Sequence, residues 1–152
     1  MKRVSLIFVL LALLMLTGCD EIKDNTIGKI DELSKRAGDL VLTSDARLVG
    51  KRTYGKDHYT GSYQAYYDVF TGEETLFGGT TLNRAEGDNI SLRVSVERVS
   101  GQISIIANLK EQEKVLVSDA GTYEFNLNVK DGSNYVLVKA SDFTGKLQIE
   151  AK

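Results

Sequence analysis

The chain of 152 residues contains no proline and no tryptophan, one cysteine, Cys19, and one histidine, His58. A lone cysteine excludes an intramolecular disulfide, and a lone histidine excludes a multi-histidine metal centre. Cys19 and His58 are far apart in sequence, with nothing that ties them together as nucleophile and base. There is neither a Gly-x-Ser-x-Gly elbow nor a phosphate-binding glycine loop. A basic excess is missing as well. The 19 basic residues face 21 acidic ones, for a formal charge of −2, so the chain lacks the electrostatic footprint of a nucleic-acid partner. No repeat at a 20 to 50 residue period and no low-complexity segment stands out. Without proline, most turns fall to the 14 glycines.

What is present begins with a three-part N-terminus. Lys2 and Arg3 give a positive start, Val4 to Leu16 read VSLIFVLLALLML, and Gly18 precedes Cys19. That is the order of a secretory signal. As a helix the 13-residue apolar run covers about 20 Å, short of the roughly 30 Å hydrocarbon core, so a cleaved signal fits better than a permanent span.

Leu16-Thr17-Gly18-Cys19 closely resembles the lipobox of bacterial lipoproteins. The resemblance covers residues 1 to 19. It implies that Cys19 receives a diacylglycerol, that the signal is cut just before it, and that Cys19 becomes the first mature residue. The expected partner is then the lipid bilayer, held through acylated Cys19, since two or more acyl chains anchor stably where one binds marginally. Asp20 resembles the inner-membrane retention signal of enteric-type Gram-negative lipoproteins; in a Gram-positive cell it carries no such meaning. The implied location is the periplasmic side of the inner membrane in the first case and the outer face of the cytoplasmic membrane in the second. Removing residues 1–18 leaves 134 residues with 17 basic and 21 acidic side chains, a formal charge of −4. That length suits one domain with a substantial core.

Residues 19–39 form the expected lipidated N-terminus and helical tether. Ile22, Ile30, Leu33, Ala37 and Leu40 share one side of a helical wheel, Asn25 or Thr26 can cap its start, and Gly38 is placed to stop it. The spacing predicts a short amphipathic helix from about Asn25 to Ala37. Its polar face mixes both charge signs, which favours packing of the apolar stripe on the following domain over an interfacial position on the bilayer.

From Leu40 the period switches to two. Ile90, Leu92, Val94 and Val96 alternate with Ser91, Arg93, Ser95 and Glu97, and Tyr123, Phe125, Leu127 and Val129 alternate with polar residues. Further strands are expected over 47–54, 58–70, 75–83, 102–109, 114–118, 135–140 and 146–151. Turn chemistry at Ser100-Gly101, Asp119-Ala120-Gly121, Asp131-Gly132 and Thr144-Gly145 separates them. The fold class is mainly β: an antiparallel β-sandwich, jelly-roll or immunoglobulin-like, over residues 40–152.

Tyr54 to Tyr67, YGKDHYTGSYQAYY, holds five of the seven tyrosines. If the stretch is extended, Tyr59, Tyr63 and Tyr67 share a face with Ala65 and Val69, which reads as core. Tyr66 and Phe70 project from the opposite face among polar neighbours. Tyr54, Tyr66 and Phe70 are therefore the candidate contact residues, because hydroxyl-bearing aromatic rings can stack on sugars or line a protein interface.

No catalytic residue, metal site or cofactor is expected. The turns Glu86-Gly87-Asp88-Asn89 and Asp131-Gly132-Ser133-Asn134 are rich in oxygen but lack the ligand order of an EF-hand. The expected function is a membrane-anchored extracytoplasmic lipoprotein with a non-catalytic binding domain, its partner an envelope protein or glycan. Two alternatives stand beside it: an envelope assembly lipoprotein that uses the 25–37 helix, and an exported hydrolase that relies on carboxylates such as Asp68 and Glu74.

Overall fold

The computed structural model describes residues 42–152; the expected signal, the acylated Cys19 and the 25–37 helix lie outside the described residues. A 3-10 turn, Asp45–Arg47, leads into six strands: β1 Lys51–Tyr54, β2 Gly61–Thr81, β3 Asn89–Leu109, β4 Gln112–Val117, β5 Gly121–Asn128 and β6 Gly132–Ala151. All pairings are antiparallel, in the order β1-β2-β6-β3-β4, with β5 also on β3. No helix among the described residues is long and apolar enough to cross a membrane.

β2, β3 and β6 are 20 or 21 residues long and fold back on themselves. Within β2, the hydroxyl of Tyr63 donates to Glu74 Oε2 at 2.9 Å, although a straight strand would hold residues eleven apart at roughly 36 Å. Each long strand therefore runs through both layers of a sandwich. The first halves of β2 and β3 and the second half of β6 join β1 and β5 in one layer; the remaining halves join β4 in the other.

This corrects the expected strand count. The segments expected at 58–70 and 75–83 are one strand, and the same holds for the two on either side of Gly101 and the two on either side of Gly145. Ser100-Gly101 and Thr144-Gly145 bend continuous ladders instead of ending them. The register shifts between Tyr67 and Gly72 and between Arg98 and Gln102 mark the bulges where the ladders turn. Gly101 has φ 73°, and a Cβ there would lie 2.1 Å from the Asp142 carbonyl oxygen, so the bend depends on the missing side chain. Val69, at φ 50°, is held by a hydrogen bond from its N–H to Thr144 Oγ1. The turns at Asp119–Gly121 and Asp131–Gly132 fall between strands, as read from the sequence.

The two layers differ in pattern. In the five-stranded layer burial alternates, so Leu92, Val94 and Val96 are buried between outward Ser91, Arg93, Ser95 and Glu97. In the other layer burial runs unbroken over Glu74–Gly78, Ile105–Asn108 and Asn134–Val138. Inward side chains from both layers, among them Tyr63, Tyr67, Phe77, Leu92, Ile105, Phe143 and Leu147, share one core.

Arg52 closes one open side of the sandwich. From β1 in the first layer it donates to the carbonyls of Thr75 and Leu76 in the second and to that of Thr43, and it pairs with Asp45 at 2.8 Å. Its side chain is almost fully buried, so these bonds replace water that the guanidinium has lost. Val49 and Gly50 add backbone N–H donors to Glu74 Oε1 and the Tyr63 hydroxyl.

Candidate functional site

Tyr63, Ala65 and Tyr67 face the core, as the odd-numbered periodicity predicts; Val69, at the bulge, is exposed. The hydroxyls of Tyr63 and Tyr67, 3.0 Å apart, both donate to Glu74 Oε2, and Glu74 itself is 2% exposed. Burial raises the hydroxyl pKa of both tyrosines, and the neighbouring Glu74 carboxylate adds to that shift. Glu74 is therefore a buried acceptor that joins the two halves of β2. Asp68 lies exposed beside the bend, so the two carboxylates named for a hydrolase are not brought into one site.

The three candidate contact residues separate. Tyr54 opposes Gly61 on the inward side of β1, half-buried, with the Arg52 guanidinium 4.7 Å from its ring centroid and the His58 ring at 4.6 Å. Burial raises its pKa. Phe70 is half-buried at the bulge, its ring 5.0 Å from that of Tyr67. Tyr66 alone stands fully outward, 60% exposed.

Around Tyr66 the register assembles a polar face that the sequence could not show as a unit. Residues directly opposite one another project from the same side of a sheet. One cross-strand row reads Lys51, Gln64, Gln148, Ser95, Thr122; the next reads Thr53, Ser62, Glu150, Arg93, Glu124; Tyr66 heads a third with Lys146 and Glu97. The tyrosine alternation could have signalled Tyr66. Nothing local could have signalled Gln148 or Ser95, because their place on this face depends on pairing between strands more than 50 residues apart.

At one end of this face two loops rise. Asp57 Oδ1 accepts from the backbone N–H groups of Tyr59 and Thr60 and from Thr60 Oγ1, while Oδ2 pairs with Arg84. Burial alone would raise the Asp57 pKa, but the bonds from Arg84 and Thr60 hold it below its ordinary value. Arg84 also donates to the Gly87 carbonyl within its own loop, so that its pair with Asp57 locks the loop before β2 to the loop before β3. Below them opens a concavity of about 600 Å³ whose lining includes Thr53, Ser62, Asn89, Glu150 and Lys152, together with the candidate contact residue Tyr54. A smaller hollow of about 170 Å³ adjoins it at Glu150, lined also by Arg93, Gln148, Ser95 and Thr122.

Both carboxylates of the concavity are ion-paired, Glu86 to Lys56 at 2.8 Å and Glu150 to Lys152 at 3.1 Å. The hydrogen bond from Lys56 to Glu86 raises the lysine pKa. Among the described residues no group of three or more metal-ligating side chains forms a site. Within the turn Asp131–Asn134, the side-chain amide of Asn134 donates to the carbonyls of Val129 and Gly132.

No family model and no curated protein matches the chain. Solved structures with a similar outline include a family 29 carbohydrate binding module, at 12% identity and TM-score 0.39 over 68% of this chain and 70% of that one. A second is the structure titled BiXyn10A CBM1, at 11% identity and TM-score 0.34 over 68% and 86%. A third is accessory secretory protein 1, 2 and 3 of Streptococcus pneumoniae, at 12% and 0.31 over 73% and 91%. At these values the similarity assigns neither a fold family nor a ligand to this chain.

Proposed function

We propose that this protein is a lipoprotein held outside the cytoplasm by acylated Cys19, and that its β-sandwich is a non-catalytic binding domain that works through the outer face of the five-stranded layer. The observation that carries the binding role is the geometry of that face. Outward polar side chains in continuous cross-strand rows lead into an open concavity, and an exposed tyrosine stands among them. Sites with a few convergent polar groups in a concave surface are where ligands bind. The Leu16-Thr17-Gly18-Cys19 motif supports the anchor, and an extracytoplasmic address puts envelope proteins and glycans within reach.

Two measurements test the reading. Metabolic labelling with a fatty-acid analogue should mark the protein, and Cys19→Ser should abolish the mark; continued labelling of that variant refutes the anchor. Envelope components that co-purify with the wild type should be lost from a folded Tyr66→Ala, Gln148→Ala double variant. Unchanged recovery refutes the contact face.

A further inference from the structure

We infer that the ligand of this face is a linear, uncharged, polyhydroxylated chain, an oligosaccharide, lying across the strands from the Lys56 and Glu86 loops to Thr122. The inference rests on the reading of the face as the contact surface and adds the ligand's chemistry and direction.

The concavity and the smaller hollow meet at Glu150, and their combined lining, the trough, crosses β1, β2, β6, β3 and β5. Five strands at the usual spacing make it about 19 Å long, which suits a short extended polymer better than a compact metabolite.

Charge narrows the class. Lys56 with Glu86, Lys152 with Glu150, Arg93 with Glu124 and Lys146 with Glu97 are ion pairs at 2.8, 3.1, 3.9 and 3.2 Å. Each of these four cations already has a carboxylate on the same face; Lys51, at the β1 end of the Gln64 row, has no ion pair among the described residues but lines neither hollow. Within the trough an anionic or cationic ligand would have to displace an internal partner, whereas a neutral one leaves the pairs in place. The remaining groups, Gln64, Gln148, Ser62, Ser95, Thr53 and Thr122, are amides and hydroxyls that both donate and accept. Sugar hydroxyls do the same.

Tyr66, two residues from Gln64 on the same face, adds a flat ring beside the trough for the apolar side of a sugar. A peptide joining by strand addition is excluded from the middle of the face, because the backbones of β2, β6 and β3 there are paired on both sides.

The test uses the full-length protein in phospholipid nanodiscs and titration calorimetry. The probes are linear neutral hexasaccharides of glucan, mannan, xylan and chitin type, with oligogalacturonate as the acidic counterpart. At least one neutral hexasaccharide should bind, and Ser95→Trp, which fills the trough, should weaken it at least tenfold. Gln148→Ala, a milder change, should weaken it several-fold and serves if Ser95→Trp fails to fold. Oligogalacturonate should bind at least tenfold more weakly than the best neutral probe. Tighter binding of oligogalacturonate, or neutral binding that neither variant alters, overturns the inference. If no saccharide binds while Tyr66-dependent capture of an envelope protein persists, the ligand class falls and the contact face stands. If no saccharide binds and capture is also indifferent to Tyr66 and Gln148, both fall.

Discussion

Tyr66 and Tyr67 are adjacent on one strand and occupy opposite environments. The ring of Tyr67 is completely buried and its hydroxyl donates to Glu74 in the other half of the same strand, while Tyr66 is 60% exposed on the polar outer face, in a row with Lys146 and Glu97. The pleat alone sends neighbouring side chains to opposite faces. What each face then does depends on the bend at Tyr67–Gly72, which folds β2 over its inner face and leaves its outer face open. Changes on the inner face should therefore register in stability, and changes on the outer face in binding.

The largest expected effect comes from removing the shared acceptor. Glu74→Leu leaves the Tyr63 and Tyr67 hydroxyls without the carboxylate and the Val49 N–H without a partner. Each of the two buried hydroxyls left unsatisfied costs about 1–3 kcal/mol, so urea unfolding should show a loss of about 2–6 kcal/mol. Glu74→Gln retains a carbonyl acceptor and should lose less. A loss below about 1 kcal/mol for the leucine variant would show that the two halves of β2 are not held together here.

Alkaline unfolding sharpens the same point. The buried phenols of Tyr63 and Tyr67 have pKa values raised above the ordinary 10.0. Below pH 10 both are neutral in the folded and unfolded chain, and this part of the stability is fully present. Above pH 10 the unfolded chain releases protons that the folded one retains, so stability falls by up to about 1.4 kcal/mol per pH unit for each phenol. Tyr67→Phe should cost about 1 kcal/mol at neutral pH by losing one hydrogen bond. It should also reduce the slope above pH 10 by one proton's worth. An unchanged slope would mean that Tyr67 ionises freely in the folded state.

The contrast between these tyrosines also marks how far the sequence could be read. The period of two exposed the alternation at Ile90–Glu97 and put Tyr63, Ala65 and Tyr67 inside and Tyr66 outside. Glycine-bearing pairs read as turns at Gly101 and Gly145 proved to be bends, because a glycine reports that the backbone must deviate and not whether its ladder continues. Tyr54 lines the concavity but does not share the face of Tyr66, for a related reason. The loop at 55–60 breaks the alternation, so β1 enters the sheet with its own phase and opposes Gly61 with Tyr54 turned inward. The sequence offers Glu74 only as a carboxylate beside Asp68, because its two tyrosine donors reach it only after β2 folds back. The trough was illegible for a stronger reason, since its lining takes only one to three residues from each of five strands.

The smallest expected effect tests the outer face. Tyr66→Ala removes an exposed ring that opposes Lys146 on a polar row, and surface substitutions away from special features usually change stability by less than about 0.5 kcal/mol. The variant should therefore unfold within that margin of the wild type while losing binding. If it loses stability on the scale of Tyr67→Phe, the ring packs on its neighbours as part of the fold, and Tyr66 belongs with the inner-face tyrosines. If stability holds and binding falls, the two faces of β2 divide as the bend implies: one side maintains the sandwich, and the other is left free to meet a ligand.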